Sequence, residues 1–436
     1  MKHKVNLTNK ISSFFKNLVR KPKLKKKSKI IGFGKFKSFF RKKDDSNDKF
    51  SLFEVTVLIL ISILFGFIVG CILLYSRSIV DDSKGLEILD TYHLLLNNYY
   101  DEVDEDQLVN AAIDGMVRSL DDPYSIYMDN KTTEGFNETV DGSYVGIGIT
   151  VSKTENGNEI VDIFDDSSAK ESGLRIGDLL ISVDDKDVKD MDVSELITYV
   201  KGEAGTKVNI KILRNGKEKV FVIERKEIQI PSVTSKIVTS DKTNIGYIDI
   251  DSFSANTYLQ FKRHLLSLEK QNIKSLIIDV RDNPGGHLNQ VSRVLELFFN
   301  KKTILYQIES KKDVKKVYSS TSEKRDYDIV VLVNAASASA AEMFASCFQE
   351  SYKNATIVGI TTYGKGTVQQ AFSISTGSSL KYTTQKWLTS KGKWINEVGV
   401  VPDVFIEQSE EYYKDFNEEN DLQFQQAIHI LTKKES

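Results

Sequence analysis

Two stretches of the sequence hold residue types that could break a peptide bond. One is Ser337, Ala338, Ser339, Ala340, Ala341, Glu342; the other is Tyr363, Gly364, Lys365, Gly366, Thr367, Val368, Gln369. A serine hydroxyl becomes a nucleophile when a base takes its proton, and a desolvated lysine can be that base at neutral pH. Ser339 follows an apolar run and opens a helical pattern, so it falls where the helix dipole favours developing negative charge. Ser339-x-x-Glu342 is equally a capping box, which would satisfy the helix's first amides with no catalysis, and both readings stand. Lys365 sits between two glycines, the ordinary setting of a solvated loop lysine. If the chain is extended from Lys365 to Gln369, the two side chains share a face and Gln369 orients the amine. A third stretch, Asp279, Val280, Arg281, Asp282, Asn283, Pro284, Gly285, Gly286, ends a strand in a Pro-Gly-Gly turn. Backbone N–H groups freed there would suit an oxyanion hole, although such a segment also serves as a plain turn.

Other chemistries are poorly supplied. The chain has five histidines, and the one beside a motif, His287, would need an acid behind it and a path to Ser339. No His/Cys/Asp group has metal-ligand spacing and no phosphate loop appears, so neither metal nor cofactor is expected. With only Cys71 and Cys347, no disulfide framework is expected either.

The elements that would position these residues follow from periodicity. Apolar strands at 245–250, 276–280, 329–333 and 357–360 alternate with helices at 258–270, 290–299 and 340–350, the pattern of a mostly parallel sheet covered on its faces. All three chemical stretches fall where a strand runs out, which is where sites of such sheets lie. A hairpin is expected at 381–388, near Trp387 and Trp394. Upstream, short alternating strands at 145–151, 159–164, 179–183, 207–213 and 219–223 are interrupted by helices at 168–172 and 193–200. Before them come amphipathic helices at 86–98 and 105–120, the second stopped by Asp122, Pro123 and Tyr124.

Charge is strongly asymmetric. Residues 1–50 hold 17 Lys+Arg against 3 Asp+Glu, a net of +14. From Arg77 onward the balance is 59 − 17 = 42 basic against 61 − 3 − 1 (Glu54) = 57 acidic, a net of −15. Between them, 55–75 is uncharged and long enough to cross roughly 30 Å of hydrocarbon as a helix. A basic flank predicts a cytoplasmic N-terminus and an extracytoplasmic remainder, by the positive-inside rule. The basic head reads as an anchor flank touching anionic lipid rather than a nucleic-acid arm. Ile68, Val69, Gly70, Cys71 also resembles the box before a lipid-modified cysteine, which leaves lipidation of Cys71 as a rival to a retained anchor.

The middle region resembles a PDZ domain. Tyr144, Val145, Gly146, Ile147, Gly148, Ile149 stand where that family binds a peptide's terminal carboxylate, Gly173 to Asp178 match its turn into the central strand, and Lys201 to Gly205 close its second helix. Glycines there let backbone amides converge while the peptide adds a strand. Lys201 is either a sensor of bound peptide or a solvated lysine. With that domain in front, D-V-R-D-N-P-G-G, S-A-S-A-A-E and Y-G-K-G-T-V-Q resemble the carboxyl-terminal processing proteases, tail-specific Ser/Lys endopeptidases of family S41.

The resemblance runs from about residue 86 to the C-terminus. It implies a crotonase/ClpP-like α/β core, with Ser339 as nucleophile, Lys365 as general base and Gln369 as the orienting residue. It further implies an oxyanion hole of Ala340 N–H with Gly285 or Gly286 N–H. Ala341, where relatives often show serine, is expected to be harmless. The spacing from Ser339 to Lys365 is about one residue longer than usual, which the loop at 353–355 could absorb, and Ser337 remains a rival nucleophile.

The expected organisation is a multidomain α/β protein. It comprises a cytoplasmic basic segment (1–54), a transmembrane helix (55–75), a helical cap or dimerisation segment (76–142), a PDZ domain (143–228), a protease core (229–410) and a C-terminal helical segment (411–436). Expected partners are protein C-terminal tails, the membrane and a second copy, with no nucleic acid. Two rivals are a PDZ scaffold on a silent core and a crotonase-type acyl transferase.

Overall fold

The computed structural model describes residues 52–79, 83–240, 243–322 and 325–433. They fall in two compact units, divided after Asn97. In the first unit, helices span Leu52–Ile79 and Ser83–Asn98. Most of the expected basic segment 1–54 lies outside the described residues. The expected span 55–75 runs past Cys71, the last described side chain of its helix. Among the described residues no helix is long and apolar enough to cross a membrane.

The second unit is built on a six-stranded sheet in the order Val233–Ser240, Thr243–Ile250, Ser275–Asp279, Asp328–Val333, Ala355–Gly359, Val404–Phe405. The first pair is antiparallel and the rest are parallel. Both faces are covered, which explains why these strands read as unbroken apolar runs. On one face, alternate residues such as Leu276, Ile278, Val331 and Ile357 join the core beneath helices Thr257–Glu269, Leu288–Leu295 and Ala340–Ser351. On the other, Ile277, Val330, Leu332 and Val358 pack against Phe424, Ala427 and Leu431 of helix Leu422–Lys433. That helix thus closes the sheet of its own subunit.

Helix Ala340–Ser351 is buried along nearly its whole length. Ala340, Ala341 and Ala345 let it approach the sheet closely, and the rings of Phe344 and Phe348 stack with Phe253, Phe298 and Phe299. Each buried phenylalanine contributes about 1.5–3 kcal/mol, so the start of this helix is held rigidly.

The expected PDZ fold forms a sheet in the order Ile149–Thr154, Gly157–Ile163, Leu179–Val183, Lys207–Arg214, Lys217–Glu224, around a core of its own. Its helix Val193–Val200 is held at its C-terminal end by Arg225, whose guanidinium donates to the carbonyls of Val200 and Tyr199, both at 2.9 Å. The chain enters and leaves this domain through a two-stranded ribbon, Ser143–Gly146 paired antiparallel with Lys226–Gln229.

A further five-stranded sheet crosses the boundaries drawn from sequence. Ile126–Met128, from the segment expected to be helical cap, pairs with Ser379–Leu388, which also pairs with Ile304–Glu309 and Thr367–Ser373. Helix Glu105–Arg118 has already ended, so Asp122, Pro123 and Tyr124 lead into a strand of this sheet.

Candidate active site

Three loops leave the C-terminal ends of adjacent parallel strands and are laced together. Ser337 N–H begins a tight turn, and its hydroxyl, fully buried, donates to the carbonyl of Val280 at 2.7 Å. Ser337 O accepts from Tyr363 N–H at 3.1 Å, and Ala338 N–H donates to Asn283 O at 2.9 Å. The Pro-Gly-Gly turn, the serine turn and the lysine loop therefore form one assembly. Ser337, the rival nucleophile, is a structural strut with no exposure. His287 also drops out, because its Nε2 meets Val140 O at 3.1 Å.

Ser339 has φ 55° and ψ −110°, a region that non-glycine residues seldom occupy. Such strain costs on the order of 1–3 kcal/mol and persists only where the surroundings enforce it. The capping box is present by position, with Ser339 Oγ making no regular cap hydrogen bond. Its carboxylate half is firm: Ser339 N–H donates to Glu342 Oε2 at 2.7 Å.

Glu342 does far more than cap. Fully buried, it also accepts from Lys365 N–H at 2.8 Å, Gly364 N–H at 2.6 Å and the Thr362 hydroxyl at 2.6 Å. A buried carboxylate is tolerated when several donors surround it, and these four bring the backbones of Ser339 and Lys365 to one group. The sequence singled out Glu342 only as the cap's partner.

Lys365 is half-buried, and its loop is gripped on the outer side by two indoles. Trp387 Nε1 donates to Lys365 O at 2.7 Å and Trp394 Nε1 to Gly366 O at 3.0 Å. A Cβ on Gly366 would lie 2.6 Å from Trp394 Nε1, which explains a glycine after the lysine. Burial first, then the charge of Lys381, lowers the Lys365 pKa, against the pull of Asp122 and Glu342. Lys365 Nζ lies 4.6 Å from the centroid of the Tyr124 ring and makes no hydrogen bond to Ser339 Oγ.

Gln369 makes no hydrogen bond to the Lys365 amine. Its Nε2 donates to Thr367 Oγ1 at 2.9 Å and Thr383 Oγ1 at 3.0 Å. The expectation assumed continuous extension from 365, but the strand begins only at Thr367 and a register shift falls between Val368 and Gln369. The extra residue, Thr384, belongs to the neighbouring strand, so the alternation of Thr367–Ser373 is unbroken and it is the loop before Thr367 that departs from extension.

At the expected oxyanion position the structure separates the two glycines. Gly285 N–H is already spent on Asn283 Oδ1 at 2.8 Å. Gly285 instead supplies space: at φ +103°, a Cβ there would sit 2.8 Å from Ala338 O and 2.9 Å from Ala340 N. Gly286 bridges Phe253 through its neighbours' groups, leaving its own N–H out of that bridge, and Ala340 N–H is a first-turn helix amide.

The PDZ cleft lies between the open edge of strand Ile149–Thr154 and helix Val193–Val200. Tyr144, Ile147, Gly148, Ile149 and Lys201 line it, while Val145 and Gly146 lie in the ribbon. Lys201 Nζ is ion-paired with Glu138 and stands 5.4 Å from the Tyr144 ring centroid, so it is not a free surface lysine.

Sequence reasoning missed the 122–125 segment as part of the site. Asp122 accepts from Ser125 Oγ at 2.6 Å and Tyr124 N–H at 3.1 Å, and Thr383 N–H donates to Ser125 Oγ at 3.2 Å. Its only sequence signal was a turn with a polar start. Among the described residues no group of His, Cys, Asp or Glu could hold a metal ion.

A strained serine at the head of a buried helix, on a parallel sheet joined to a PDZ domain with an open edge, is the architecture of a serine-type protease. Matches to known families agree: residues 244–406 match peptidase family S41, residues 145–224 a PDZ domain, and residues 78–132 the activating protease CtpB N-terminal domain. The chain is 38% identical to the carboxy-terminal processing protease CtpB of Bacillus subtilis over 74% of its own length and 68% of the relative's. It is 39% identical to CtpA of the same organism, over 75% and 70%. Among solved structures, a photosystem II D1 C-terminal processing protease matches 74% of this chain and 93% of its own, at 24% identity and a TM-score of 0.43. The chain belongs to the carboxy-terminal processing protease family, the S41 serine proteases that carry a PDZ domain.

Proposed function

We propose that this protein is a membrane-anchored endopeptidase that cleaves extracytoplasmic proteins near their carboxyl ends through a Ser/Lys site. The observation that carries the reading is Glu342, whose one carboxylate binds the N–H groups of both Ser339 and Lys365. Ser339 Oγ gives its proton to the neutral amine of Lys365 and attacks the scissile carbonyl. Ala340 N–H and Gly286 N–H stabilise the oxyanion, the leaving amine takes the proton, and water releases the acyl group. Gln369 supports this indirectly, by fixing Thr367 at the end of the lysine loop.

The substrate tail adds a strand to Ile149–Thr154, its terminal carboxylate held at Ile147 to Ile149 near Lys201. A bound carboxylate competes with Glu138 for Lys201, which supports activity that rises when a tail is present. The anchor rests on the uncharged run 55–75 and the basic head, with exposed Leu60, Phe65 and Phe67 on the described part of the helix. Helices in 76–142 would serve a dimer.

The test uses the full chain in detergent, with an unstructured polypeptide bearing an apolar carboxyl terminus and products read by mass spectrometry. Cleavage by the wild type, abolished in Ser339→Ala and in Lys365→Ala with tail binding retained, is expected. The absence of a Ser339–Lys365 hydrogen bond gives the silent scaffold its one supporting observation, and tail binding without cleavage by any form would favour it. Extraction from membranes by alkaline carbonate would sink the anchor.

A further inference from the structure

The base of the proposed site has a seat that comes from outside the protease core. Lys365 Nζ stands 4.6 Å from the Tyr124 ring centroid, within the roughly 6 Å over which a ring face attracts a cation. The amine makes no hydrogen bond to Gln369, whose amide is engaged with two threonines. Tyr124 is itself firmly placed. Its N–H is held by Asp122 at 3.1 Å, the next residue's hydroxyl accepts from Thr383 N–H at 3.2 Å, and Ile126–Met128 pairs in register with Ser379 to Lys381. Burial first, then the Tyr363 hydroxyl and the charges of Glu342 and Asp122, pushes the Tyr124 phenol up to about 12, so it stays neutral.

We propose that Tyr124 is a positioning residue for the catalytic lysine, its ring face serving as the seat of Lys365 Nζ. This rests on Lys365 being the base. The ring face is neutral and attracts the amine through its π electrons, so it holds the amine in place without a conventional hydrogen bond that would have to break before proton transfer. It also favours the ammonium formed when Ser339 gives up its proton. The other groups facing Lys365 are Asp122 on the same upstream segment, Glu342 on the serine helix and Lys381 on the partner strand, while Tyr363 on the lysine's own loop meets the Tyr124 phenol. A ring between two carboxylates and a second lysine is the one contributor here whose strength can be graded without altering charge.

The test is the pH dependence of kcat/KM for the full chain in detergent. Activity rises with pH as the base loses its proton. Without the ring the ammonium is less stable, so in Tyr124→Leu the rising limb moves to lower pH by about half to one unit. Tyr124→Phe keeps the ring and leaves the limb in place. If the leucine form does not fold, phenylalanines of increasing ring fluorination at 124 drain the ring's negative face at nearly constant volume, and the limb should step downward along the series. A limb that stays put in the leucine form or across the series overturns the proposal, as does an equal shift in Tyr124→Phe. Retained cleavage by Lys365→Ala would instead overturn the Ser/Lys reading itself, so the two failures are distinguishable.

Discussion

At the scale of single residues, the site depends on a carboxylate that performs no chemistry. Glu342 collects four donors from the two halves of the site, and its replacement by glutamine puts an amide N–H₂ against backbone N–H groups that need an acceptor. Hydrogen bonds to a charged group contribute about 1.5–3 kcal/mol, so Glu342→Gln is expected to lower kcat roughly 10- to 100-fold. Tail binding at the PDZ cleft should be untouched, and steady-state kinetics beside a binding titration checks both. Ser339 and Lys365 were singled out through the motifs that contain them, S-A-S-A-A-E and Y-G-K-G-T-V-Q, since each alone reads as a helix cap and a loop lysine. The role of Gln369 was inferred from uninterrupted extension through 365, whereas the strand starts only at Thr367, and a lysine between two glycines does not announce where a strand begins. Gly285 and Gly286 could not be told apart by sequence, since the difference is a hydrogen bond to Asn283.

At the scale of elements, the strands and helices of the core followed from periodicity, because a sheet buried on both faces demands continuous apolar runs. The C-terminal helix Leu422–Lys433 was also legible, though its partner was not. Arg281 fixes it: one guanidinium bonds Asp279 at 2.6 Å and meets Asp421 at 2.8 Å, joining the helix start to the strand that leads into the Pro-Gly-Gly turn. Burial alone would raise the Asp421 carboxyl, yet the Arg281 hydrogen bond and charge hold it below the usual range. A carboxyl depressed in the fold contributes stability that is present above its unfolded value of about 3.9 and lost as pH falls through the folded value. The helix is therefore expected to loosen selectively below about pH 4, and Asp421→Asn to flatten that loss. Hydrogen exchange at 422–433 from pH 6 to 3 measures it; an equal acid response in both forms would refute the assignment.

At the scale of the whole molecule, the protease is not a run of consecutive domains. The sheet behind the lysine loop borrows Ile126–Met128 from the segment ahead of the PDZ domain, and the seat of Lys365 comes with it. No periodicity announces a three-residue strand pairing with a partner some 250 positions later in the chain, as Met128 does with Ser379. This is why the cap appeared in the sequence as a separate helical layer. The PDZ domain itself was legible, because short alternating strands and turn glycines announce themselves locally.

The ribbon that carries the chain into and out of the PDZ domain makes that domain a detachable cassette. Gly146 and Lys226 face each other as an antiparallel pair, so their α-carbons lie about 5 Å apart, a gap that a two-residue hairpin closes. Excising 147–225 and joining the stubs with Asn-Gly should leave a shortened chain that still melts cooperatively, since the two core clusters on either face of the protease sheet share no residue with the excised part. Such a miniature would cut unstructured polypeptides with no preference for their final residue. Grafting a foreign peptide-binding module onto the same two stubs would then redirect the cutting to whatever tail that module prefers.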